Sequence, residues 1–114
     1  MVRQARFVCA KQVEVTRMSG KMKYYLVCYD IREPKRWKKC FRLMKGYGER
    51  IQYSVFQCYL SERAMAQLRW ELAKILSKED SLLIAPIYAP DQNKIIQWNM
   101  SAEWSPDRER FKTL

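Results

Sequence analysis

Six consecutive residues, Tyr24-Tyr25-Leu26-Val27-Cys28-Tyr29, are apolar or aromatic without a break, and Asp30 ends the run. A half-buried strand alternates apolar with polar residues. A run apolar on both parities belongs in the middle of a sheet that is covered on each face. At 114 residues the chain has enough material for one core, so this strand organises the fold. The rest of the sequence must supply strands on either side of it and layers above and below.

The segments that follow read in sequence as helix, two strands, helix and strand. Pro34 suits the first turn of a helix, where its missing N–H costs nothing. Trp37, Cys40, Phe41 and Met44 recur at i, i+3, i+4 and i+7, with Lys35, Arg36, Lys38, Lys39, Arg42 and Lys45 on the opposite face. Gly46 and Gly48 stop that helix. Arg50 to Leu60 is extended, and its apolar parity changes near Ser54, which marks a bulge or a tight turn between two short strands. Ser61 is a helix N-cap, followed by Glu62 in the first turn and by Met65, Leu68, Leu72, Ile75 and Leu76 at helical period. Ser81 to Tyr88 is a strand that Pro86 confines to a sheet edge. Asp91-Gln92-Asn93 is a turn, and Lys94 to Trp98 reads as a final short strand.

The expected fold is α+β, a ferredoxin-like β-α-β-β-α-β unit plus a C-terminal extra strand. Two helices cover one face of such a sheet. The other face is still apolar along the first strand, so the expectation is a homodimer through sheet faces. Residues 1–23 form a basic extension, with six Lys and Arg against Glu14 alone. Residues 24–99 form the domain and residues 100–114 a polar tail. Two readings stay open for the start: a natural basic arm, or an addition ahead of a chain that begins at Met22.

Charge and missing residue types narrow the function. Lys and Arg number 22 against 12 acidic residues, a net charge of +10, which points to a polyanion, nucleic acid ahead of membrane. There is no His, so imidazole catalysis and His metal ligation are excluded. Cys9, Cys28, Cys40 and Cys58 are far apart with no Cys-x-x-Cys pair, the wrong spacing for zinc or a redox dithiol. Neither a signal peptide nor a membrane span is expected, and the reading is cytoplasmic.

Several motifs carry a resemblance. Tyr29-Asp30 closes the first strand and a basic helix follows. Then come Gly46-Tyr47-Gly48-Glu49-Arg50 and Gln52-Tyr53-Ser54-Val55-Phe56, four residues before Leu60. From Tyr24 to about Trp98 the chain resembles the CRISPR-associated protein two family, the small subunit of spacer acquisition. The resemblance implies a ferredoxin-like homodimer that joins the CRISPR integrase in a heterohexameric complex. It also implies a metal-dependent endonuclease acting on RNA or DNA, or a scaffold that holds the protospacer duplex.

Against that background Asp30 is the catalytic and metal-ligand candidate, held at the end of a central strand. Hydrolysis of a phosphodiester without His points to Mg²⁺, which takes oxygen ligands, and a twofold axis would pair the Asp30 carboxylates of two subunits. The plainer role for Asp30 is a helix cap, which Pro34 disfavours. Ser54 is the second catalytic candidate, a donor to phosphate. Tyr29 and Phe56 are dimer-interface candidates, although core packing is the plainer role for both. Glu33 and Glu49 read as partners of nearby cations. Arg32, Lys35, Arg36, Lys38, Lys39 and Arg42 form the nucleic-acid-binding set, more cations than solubility requires. They are expected to track a duplex backbone without reading bases. If about six phosphates are neutralised, affinity falls on the order of a thousandfold between 50 and 200 mM salt. The function reading is therefore a CRISPR adaptation subunit that binds double-stranded DNA and the integrase. A stand-alone endoribonuclease of toxin type is the alternative, and a non-enzymatic RNA-binding module comes third.

Overall fold

The computed structural model describes residues 21–106. Cys9 and nearly all of the expected basic extension lie outside the described residues. The elements are β1 (Met22–Asp30), α1 (Pro34–Lys45), β2 (Gly48–Gln52), β3 (Val55–Ser61), α2 (Glu62–Ile75) and β4 (Ser81–Ile87), followed by a 3-10 helix, Ala89–Lys94. The strands form one sheet in the order β2-β3-β1-β4, every neighbouring pair antiparallel. The two-sided apolar run of β1 is thus interior, and β4, which carries Pro86, is an edge, where a missing ladder donor is tolerated. No helix among the described residues is long and apolar enough to cross a membrane.

Local chemistry sets the element ends. Glu33, not Asp30, caps α1: its carboxylate accepts from the Lys35 N–H at 3.1 Å and the Arg36 N–H at 2.9 Å. Pro34 is the first helical residue, as expected. Ser61 Oγ accepts from the Ala64 N–H at 3.0 Å and starts α2. The parity change near Ser54 resolves into two features, a two-residue turn at Tyr53-Ser54 and a bulge between Arg50 and Gln52. Gly48 sits opposite Cys58 in the ladder, where a Cβ would meet the Gln57 carbonyl oxygen and lie 2.6 Å from Cys58 Sγ.

The two parities of β1 build two cores. Tyr25, Val27 and Tyr29 point toward the helices and pack with Phe56, Cys58 and Leu60 of β3, Cys40 and Met44 of α1, and Ala64, Met65, Leu68 and Leu72 of α2. The opposite parity puts Tyr24 with Ile51 and Trp104, flanked by Leu26, Val55, Tyr59 and Ile87.

Three expectations need correction. Lys94 to Trp98 is not a strand. Backbone bonds from Asp91 N–H to the Tyr88 carbonyl (2.8 Å) and from Ile95 N–H to the Gln92 carbonyl (3.3 Å) close local turns, and no ladder partner follows. The second face of the sheet is also not left bare by its own chain. Residues 95–106 cross it, with Ala102 N–H donating to the Ile51 carbonyl at 3.1 Å and Tyr24 Oη to the Pro106 carbonyl at 3.0 Å. Gln57, fully buried, clamps this segment: Ser105 N–H donates to its Oε1 at 2.9 Å, and its Nε2 donates to the Ser105 carbonyl. Trp104 is buried there, its Nε1 donating to Gln92 Oε1 at 2.8 Å, whereas Trp98 is exposed and closes nothing. The segment read as a polar tail therefore contains the cover. Finally, Tyr29 and Phe56 lie beneath the helices. Phe56 exposes none of its surface and Tyr29 only 5%, so neither has area to give to a dimer interface; the parity of β1 and β3 turns both inward.

Candidate nucleic-acid interface

Asp30 ends β1 opposite Ser81 of β4, with its side chain exposed. The β2–β3 turn is tied to the same strand end, because Tyr29 N–H donates to the Ser54 carbonyl at 3.1 Å. Asp30 and Ser54 are thus brought to one end of the sheet. Ser54 Oγ accepts from Trp37 Nε1 at 3.1 Å, which binds the turn to α1 and leaves the hydroxyl proton free to donate. Tyr29 Oη is buried and has no hydrogen-bond partner among the described residues. Burial pushes this phenol well above its usual range, with the Cys40 thiol adding to the effect. Arg50 opposes it, as does Ser54, which lies close by without meeting the phenol in hydrogen-bond geometry.

One chain's described residues do not assemble a multi-carboxylate cluster around Asp30. Among the described residues no three His, Cys, Asp or Glu side chains gather into a cluster. Glu33 is occupied as a cap and ion-pairs with Arg36. Asp80, directly before Ser81, the residue paired with Asp30, is committed to Arg36.

That last pairing changes the cation set. Arg36 Nε donates to Asp80 Oδ2 at 2.9 Å and Nη2 to Oδ1 at 3.3 Å, joining α1 to the loop before β4. Its guanidinium, led by the Asp80 hydrogen bond, holds the Asp80 carboxyl below the usual range, and the Ser77 N–H assists. Arg36 therefore serves the fold and leaves the nucleic-acid set. The other five side chains, those of Arg32, Lys35, Lys38, Lys39 and Arg42, are exposed and make no ion pair among the described residues. Lys35, Lys38, Lys39 and Arg42 stand at i, i+3, i+4 and i+7, one stripe of α1 opposite its buried face. Arg36 lies off that stripe, a distinction helical spacing already contained.

The structure adds a feature that spacing did not indicate. Trp37 packs nearly parallel to Phe41 (centroids 5.2 Å apart, 7° between planes) and to Tyr53 (4.7 Å, 18°). The Arg50 guanidinium lies over Phe41 at 5.1 Å and over Tyr53 at 5.6 Å, and Lys45 Nζ over Phe41 at 5.5 Å. Trp37 and Phe41 were legible as the helix's apolar stripe. Tyr53 and Arg50 join them only because the hairpin folds its turn onto α1.

A family model described as CRISPR associated protein Cas2 matches residues 22–95. The chain belongs to the Cas2 family. It is 41% identical over 75 residues to "CRISPR-associated endoribonuclease Cas2 3" of Synechocystis, covering 65% of this chain and 82% of that protein. It is 45% identical over 64 residues to "CRISPR-associated endonuclease Cas2 2" of Thermus thermophilus, covering 55% and 71%. Its fold is similar to the crystal structure of Streptococcus pyogenes Cas2, with a TM-score of 0.62 over 67% of this chain and 99% of that one; at 24% identity this likeness concerns the fold. The Cas2 match begins at the first residue of β1 and stops short of Trp104 and Ser105. Gln57 lies inside the matched region, whereas Trp104 and Ser105 of the segment that it holds on the second sheet face lie outside it.

Proposed function

We propose that this Cas2 chain acts in CRISPR spacer acquisition as a ferredoxin-like homodimer that binds double-stranded DNA and the CRISPR integrase. The observation that carries the reading is the stripe of exposed cations along α1 that make no ion pair among the described residues. Cations at one-turn spacing on a rigid helix suit phosphates, which recur along a duplex whatever its sequence, and such binding is sequence-blind and salt-sensitive. A dimer would present two stripes. Co-purification of the full chain with the neighbouring integrase, followed by an in vitro spacer-insertion assay, tests this. Failure to co-purify, or unchanged insertion when the chain is omitted, defeats the adaptation reading.

A second reading, an endoribonuclease, is favoured by the names of relatives such as the Synechocystis protein. Since the described residues of one chain gather no cluster of metal ligands, this reading has metal-dependent cleavage use Asp30 from two subunits. Replacing Asp30 with Ala should then abolish Mg²⁺-dependent cleavage of RNA or DNA and leave duplex retention intact. Equal cleavage by the variant removes Asp30 from the reaction.

A further inference from the structure

The aromatic patch beside the Asp30 strand end has two unequal parts. Trp37 and Phe41 are half-buried and fixed, Trp37 through its bond to Ser54. Tyr53, at the tip of the hairpin, keeps 61% of its surface exposed. Core packing explains the first two rings. It does not explain a tyrosine left mostly in water with a guanidinium poised over its ring.

We propose that Tyr53 and Arg50 form a stacking site for one unpaired nucleobase, so that a single-stranded segment is held beside Asp30. This deepens the proposed function and rests on its premise that the chain binds nucleic acid. Every base has a π face, which stacks on aromatic rings and on arginine planes with little regard to sequence. A base entering between Tyr53 and Arg50 exchanges a ring–cation contact for two stacked ones, and the cation remains over a π system. Trp37, stacked nearly parallel to Tyr53, restrains the ring in advance, which lowers the cost of ordering it. Lys38, Arg42 and Lys45, along the same edge of α1, carry the charge that the flanking phosphates need.

The test uses the full chain and fluorescence anisotropy, with a labelled single-stranded oligonucleotide and a blunt duplex of the same sequence. Tyr53→Ala should weaken single-strand binding about 5- to 150-fold, the worth of one stacked base, and leave blunt-duplex binding unchanged. Tyr53→Phe, which keeps the ring, should bind both like the parent. On the parent, a single strand with one abasic nucleotide at successive positions should lose affinity at a defined position. That measurement does not depend on how any variant folds. Unchanged single-strand affinity for Tyr53→Ala, an equal loss on both probes, or no position-dependent abasic effect overturns the stacking site. If the blunt duplex still binds in those cases, the broader nucleic-acid reading survives. If the parent binds neither probe, both fall together.

Discussion

Separating Arg36 from the cations of α1 has a measurable consequence. Consider the triple variant Lys38→Gln, Lys39→Gln, Arg42→Gln beside the single variant Arg36→Gln, with duplex DNA titrated across a range of salt. Each phosphate contact contributes about 0.9 to the slope of log affinity against log salt, so losing three lowers the slope by about 2.7. Between 50 and 200 mM salt the parent should therefore lose about 40-fold more affinity than the triple variant. Arg36→Gln should leave the slope where it was, because its guanidinium is already bonded to Asp80. Its effect is on stability. The Asp80 side chain is only 2% exposed, and without Arg36 it retains the Ser77 N–H at 2.9 Å as its main partner. The Asp80 carboxyl is depressed in the fold, so the stabilisation is present above its unfolded value of about 3.9 and is lost as pH falls through the lower folded value. Thermal melts of Arg36→Gln should thus fall below the parent at neutral pH and converge with it in acid. A slope for Arg36→Gln reduced by as much as one stripe residue, with no loss of melting temperature, would refute the assignment.

Other consequences concern the packing. Gly48→Ala should cost about 1–3 kcal/mol in denaturant melts, because the added methyl runs into the Gln57 backbone oxygen and Cys58 across the ladder; parental stability would mean that the strands can separate there at no cost. Trp104→Ala should cost about 3–5 kcal/mol and raise binding of a hydrophobic dye, since Tyr24 and Ile51 lose their cover; unchanged stability would mean that the C-terminal segment does not hold the sheet in solution. Burial pushes the Cys58 thiol up to about 12, and burial with the nearby Asp80 charge does the same for Cys40. Neither should be alkylated at pH 8 in the folded protein, and rapid modification of either would contradict the packing beneath the helices.

Much of this molecule is legible along the chain because the signals are local. The unbroken run from Tyr24 to Tyr29 demands an interior strand, and β1 is interior. Pro86 demands an edge, and β4 is an edge. The stripes in α1 and α2 and the Ser61 cap depend on one helical turn at a time, so residues within four positions decide them. The motif Gln52-Tyr53-Ser54-Val55-Phe56 likewise marked the hairpin turn that ties Ser54 to the end of β1.

What spacing alone could not decide was which partner each side chain meets across a long separation in sequence. Arg36 reads as one more cation until Asp80, forty-four positions later, is folded against it. Tyr29 and Phe56 are aromatic in either core, and only the parity realised in the sheet turns them toward the helices. The apolar second face of β1 announced that a cover was needed without naming it. Gln57 and Trp104 supply that cover from within the chain, through hydrogen bonds between segments 48 residues apart. Propensity and periodicity act over one turn or one strand, and so they reach the elements. Ion pairs, buried clamps and stacked rings depend on the closure of the whole chain.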